Sequence, residues 1–120
     1  MAISNKTRKL LWGRSGNRCA LCRQELVMDA TVADDDSVVG DECHIVARSP
    51  GGPRFDPTLP KEDIDLYSNL ILLCKVHHKL VDDQPNTYTV DLLKRMKRNH
   101  ELWVHDALKS ATEGKQRVHI

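Results

Sequence analysis

Residues 73–83 read LCKVHHKLVDD, with two histidines side by side, Cys74 three places before the first and Asp82 four places after the second. Adjacent residues on a helix point about 100° apart, so His77 and His78 serve two different centres. What each centre needs from the rest of the chain sets the expected fold.

The first centre is a metal site. Cys19 and Cys22, in RCALC, are separated by two residues, and Cys74 and His77 repeat that spacing at the start of the helix. Structural zinc takes four soft or borderline ligands in a tetrahedron, and a CxxC joined to a CxxH supplies them. A structural Zn²⁺ would tie the N-terminal segment to a distant helix, which the thin core of a small domain does poorly alone.

The 120 residues fit one domain, 1–120, long enough for a modest core. The net charge of +1 hides local patterning: basic residues gather near the N-terminus and in KRMKR (94–98), acidic ones between 29 and 42. Local patches could hold a polyanion, although the chain is not the uniformly basic protein of a passive DNA coat. The KRMKR stretch reads as a wet helix face. No apolar run approaches the ~20 residues of a membrane span, and the N-terminus lacks the apolar stretch of a signal peptide. The expected location is cytoplasmic, away from membranes, where thiols stay reduced and favour metal over disulfide.

Along the chain, Ser4 caps a first helix carrying Leu10, Leu11 and Trp12, which Gly13 and Gly16 end. ELVMDATV (25–32) is a short strand or loop, and SVVGDECHIVA (37–47) has the valine, isoleucine and glycine punctuation of a hairpin. RSPGGPRFDPTLPKED (48–63), with four of the five prolines, is an irregular loop. NLILLC leads into a helix over about 75–83. After QPNTY a longer helix begins, with Thr89 as its N-cap and Leu92, Leu93, Met96, Trp103, Val104, Ala107 and Leu108 at helical spacing. The closing ATEGKQRVHI shows no natural ending, so the domain is expected to be the first of a longer protein.

With His77 assigned to zinc, His44 in ECHIVA, Asn69 in SNLILLC and His78 in VHHKLVD remain. These three, with nine residues from Asn69 to His78 and two zinc half-sites interleaved, resemble the HNH (His-Me finger) endonucleases over roughly 17–104. The resemblance implies an α+β fold: a ββα-metal core with a structural zinc knuckle and flanking N- and C-terminal helices. More narrowly, GDECHIVARSPGGPRFDP with NLILLCKVHHKLVD is similar to the nuclease domains of bacterial anti-phage (CBASS) effectors. In those an HNH unit precedes a SAVED domain that senses a cyclic oligonucleotide. The implied partners are double-stranded DNA, such a C-terminal sensor domain and further copies of the chain.

The resemblance also implies roles. His44 would be the general base that activates water, since an imidazole exchanges its proton near neutral pH. Asn69 would orient the strand and the His44 ring by hydrogen bonding. His78 would bind a catalytic divalent ion, Mg²⁺ or Mn²⁺ or similar, which neutralises charge building on the phosphate.

One position departs from the pattern. Many relatives carry Asp, some His, directly before the general base; here Cys43 stands there, a poor magnesium ligand and a natural buried filler. Asp82 can replace the missing acid, because it lies four residues after His78 on one helical face. Glu42 competes, two residues before His44 and so on the same strand face. Arg48 and Arg54 flank SPGGP beyond the general base, where guanidinium groups could hold flanking phosphates. The alternative to an endonuclease is a non-catalytic zinc module binding nucleic acid or protein, which has no reason to keep His44, Asn69 and His78 together.

Overall fold

The computed structural model describes residues 2–118. The order is α1 (Asn5–Ser15), β1 (Val27–Met28), β2 (Ser37–Val38), β3 (Gly40–His44), β4 (Leu70–Cys74), α2 (Lys75–Asp83) and α3 (Val90–Val118), with 3₁₀ turns at Lys61–Asp63 and Tyr67–Asn69. Helices and two small antiparallel sheets make an α+β fold.

β3 and β4 pair antiparallel, with Gly40 opposite Cys74 and His44 opposite Leu70, and β4 runs directly into α2. All five residues of β4 are buried, the continuous apolar run of a strand covered on both faces. Leu70–Leu73 form the centre of the core with Leu11, Leu26, Ile45, Val81 and Leu93. The predicted hairpin over 37–47 does not form. That segment instead divides between sheets: Ser37–Val38 pairs back onto Val27–Met28, while Gly40–His44 pairs forward across the sequence onto β4. Gly40 is the close-packed hinge, since a Cβ there would lie 2.8 Å from the Leu26 side chain.

Ser4 caps α1 by accepting from Thr7 N. Gly13 lies inside the helix and does not end it; Gly16 does, at φ 62°. A Cβ on Gly16 would meet Val104 Cγ1 at 2.9 Å, so this cap is also where α1 approaches α3. Thr89 Oγ1 accepts from Leu92 N at the start of α3. The buried face of α3 is Leu93, Lys97, His100 and Val104, whereas Leu108 is exposed. Lys97 therefore departs from the wet face expected of KRMKR: it pairs with Glu101 at 3.0 Å and lies 3.3 Å from the Tyr67 ring centroid. Among the described residues, no helix is long and apolar enough to cross a membrane.

Candidate active site and metal centre

Cys19, Cys22, Cys74 and His77 converge, with their four ligand atoms all within 4.8 Å of one another. Cys19 Sγ is 3.8 Å from His77 Nδ1, Cys22 Sγ is 3.9 Å from Cys74 Sγ, and Cys74 Sγ is 3.2 Å from His77 Nδ1. A tetrahedron of ~2.3 Å zinc–sulfur bonds has edges of about 3.8 Å, so the cluster is sized for zinc. Local structure makes this geometry. The knuckle turns through Arg23 at φ 64° and is fastened to β4 by Ala20 N–H donating to Leu72 O at 2.9 Å. Cys74 also caps α2, accepting from His77 N. Burial pushes the Cys22 thiol up to about 11, so a bound cation must displace its proton.

His77 and His78 do point apart. His78 meets two carboxylates: Nδ1 lies 2.9 Å from Asp41 Oδ2, and Nε2 lies 3.2 Å from Asp82 Oδ2. Each carboxylate spends its other oxygen on a cation, Asp41 on Lys75 at 2.6 Å and Asp82 on Arg54 at 2.9 Å. Burial raises the Asp41 pKa, but hydrogen bonds from Lys75 and His78 outweigh it and hold the carboxyl below its ordinary range. An ionised carboxylate only accepts, so Asp41 takes the Nδ1 proton. Asp82 meets the other ring nitrogen, Nε2, so Nε2 and the Asp82 carboxylate together offer two ligand atoms to a cation. The chemistry of this set fits a divalent ion, with Asp41 orienting the ring from behind.

His44 closes β3. Its Nε2 is 2.7 Å from Asp65 Oδ1, and Asp65 Oδ2 is 2.5 Å from Arg48. Burial raises the Asp65 pKa, and the hydrogen bonds from His44 and Arg48 overturn that, leaving the carboxyl below its ordinary range. The ionised Asp65 must accept, so Nε2 is the ring nitrogen that donates to it. Among the described residues Nδ1 has no partner. Glu42, Cys43, His44, Arg48, His78 and Asp82 line one cleft of about 220 Å³.

Three expectations change in detail. Asn69 is buried and orients the strand end rather than the His44 ring: its Oδ1 accepts from Val46 N at 2.9 Å, and its Nδ2 donates to the carbonyls of Val46 and Ile64. Glu42 shares a strand face with His44, but that face meets α1; its carboxylate accepts from Arg8 Nε at 2.9 Å and Trp12 Nε1 at 2.7 Å. Arg54 is no phosphate clamp. Its side chain is 4% exposed and donates to the carbonyls of Ile45, Val81 and Tyr88 as well as to Asp82. Cys43 is buried filler, and burial pushes its thiol far up.

Sequence reasoning missed Asp41 and Asp65. Asp41 had a usable signal: it lies two residues before Cys43, so strand alternation puts it on the face where the family's acid would stand. Asp65 had none beyond being an acid in a loop.

A zinc-sized Cys₃His cluster lies beside an antiparallel strand pair and helix, and His44 and His78 line one cleft. The chain matches the family model for HNH endonuclease over residues 19–84, more than half its length, and belongs to that family. No curated protein matches it.

Proposed function

We propose that the domain hydrolyses phosphodiester bonds of double-stranded DNA, using a divalent ion such as Mg²⁺ or Mn²⁺, on a ββα-metal core stabilised by zinc. The single observation that carries this reading is the shared cleft, where an oriented His44 faces His78, Asp82 and Arg48. Asp65 holds the His44 ring so that Nδ1 can take a proton from an attacking water. His78 Nε2 and Asp82 would hold the divalent ion, with Asp41 fixing the ring from Nδ1. When bound, that ion supplies positive charge for the phosphate and leaving oxygen. Arg48 adds a second positive charge at the cleft wall. Asn69, by stapling Val46, keeps His44 at the strand end.

The sequence similarity to CBASS nuclease domains supports a further assignment: a bacterial anti-phage effector in which a SAVED-type sensor domain follows this one and, on binding a cyclic oligonucleotide, drives copies of the chain together.

The test is His44→Ala. Removing a positioned general base costs roughly 10²- to 10⁴-fold, with fold and zinc content unchanged and wild-type cleavage stopped by a chelator. If matched assays show His44→Ala cutting like wild type, this site is not the nuclease centre.

A further inference from the structure

A second cavity, of about 470 Å³, adjoins the catalytic cleft, and Arg48 lines both. Its size falls in the ~300–1,000 Å³ range of ligand pockets. Its walls include Phe55, Pro50, Pro57, Leu59 and Ile64; Arg48 and Lys61 bring positive charge and Asp56 negative charge, and Arg48 is also paired with Asp65. Phe55 is the chain's one phenylalanine, and it stands half-buried on an irregular loop outside the core. A residue of that kind fills a core first; here it faces a cavity beside the cleft.

The loop carrying Phe55 is fixed. Arg54 sits at φ 55°, a left-handed conformation that is strained for a non-glycine residue. Its four hydrogen bonds into Ile45, Val81, Tyr88 and Asp82 hold it there. Ala47 N–H donates to Pro53 O, and Gly52 N–H to Ser49 O. Gly52 cannot carry a side chain, since its Cβ would lie 2.5 Å from Ala47 Cβ. A long irregular loop pinned this heavily is more often functional than incidental, and a preformed cavity spares its ligand the ordering cost.

We propose that this cavity is a nucleobase subsite, taking one base of the substrate strand beside the scissile phosphate. The inference rests on the nuclease reading above. Every base offers a flat π face, and an aromatic ring, apolar walls and an arginine are the groups on which unpaired bases stack. Of the charged groups on its rim, Lys61 and Arg48 suit the flanking phosphates and Asp56 does not. Arg48, as the common wall, places the subsite next to the cleft. A base inside duplex DNA is covered by its neighbours, so the subsite takes one that is unpaired or extruded, and an unpaired nucleotide at the cut spares the cost of extrusion.

The experiment uses the zinc-loaded chain. Wild-type cleavage maps the cut site; the His44→Ala protein then binds duplexes carrying an unpaired 2-aminopurine, or an abasic residue, at each position around it. At one position the 2-aminopurine fluorescence should be quenched, and the abasic residue there should weaken binding. Phe55→Leu keeps the apolar volume and removes the ring. It should weaken binding of the unpaired duplex by about 5- to 150-fold and abolish the abasic penalty, while Phe55→Tyr retains both. Phe55→Leu binding like its parent, with normal wild-type cleavage, overturns the subsite alone. A wild type that neither binds nor cuts DNA overturns the nuclease reading and the subsite with it.

Discussion

Asp65→Asn changes one oxygen to an amide nitrogen and tests how His44 is held. Asp65 is 12% exposed and lies 2.7 Å from His44 Nε2. As His44 takes a proton from water, a positive charge forms next to that carboxylate. Two unit charges at ~4 Å and an effective dielectric of about 20 interact by about 4 kcal/mol. His44 is 30% exposed, so solvent screening cuts this to about 2 kcal/mol, or roughly 30-fold in rate. A tautomer effect adds to it: an asparagine amide donating into Nε2 forces the ring proton onto Nδ1, the nitrogen that must accept. Together the expected loss in kcat is about 10²- to 10⁴-fold. The assay pairs supercoiled-plasmid cleavage with ¹⁵N shifts of the His44 ring, which report the tautomer independently of turnover. Stability gives a second readout. Asp65 has a folded pKa below its unfolded value of ~3.9, so its contribution is present above that value and disappears as pH falls through the folded one. The variant should melt a few degrees lower at pH 6, consistent with about 1–2 kcal/mol, and approach wild type below pH ~4. A variant that cuts within threefold of wild type and keeps the Nε2–H tautomer refutes the reasoning.

Two further outcomes follow from the metal-facing residues. Elemental analysis should find about one zinc per chain, and Cys22→Ser should lose it with a large drop in melting temperature, because one ion joins the knuckle to α2; a well-folded zinc-free wild type contradicts the centre. Manganese titration by electron paramagnetic resonance, in the His44→Ala background, should show Asp82→Asn binding about 10- to 100-fold more weakly. Asp41→Asn should shift binding in the same direction and Glu42→Gln little. A shift in Glu42→Gln with Asp82→Asn unchanged would move the ligand from helix to strand.

What could be read in advance were relations set by local geometry. The 100° step between His77 and His78 sent them to different surroundings, and the paired two-residue spacings named the four residues that converge in a metal-sized cluster; both follow from helix and turn shape alone. The i+4 step likewise placed Asp82 against His78. Strand alternation was weaker, because it says which residues share a face and not what covers it. Glu42 does share the His44 face, yet Trp12 and Arg8 of α1, 30 and 34 residues away in sequence, take its carboxylate. Asp65 and Arg54 lie further out of reach. Each sits on an irregular segment with no period to count, and each role appears only when α2, β3 and the 48–63 loop close together. Arg54 shows the cost of reading charge without burial: its guanidinium serves the backbone carbonyls of Ile45, Val81 and Tyr88, on segments that the loop closes against. Lys97 repeats the lesson on α3, where a helical stripe of apolar residues predicts the buried face but passes over a cation sealed between Tyr67 and Glu101. The spacing of these residues therefore points to the proposed nuclease centre, and tertiary closure decides which acids and arginines stand beside it.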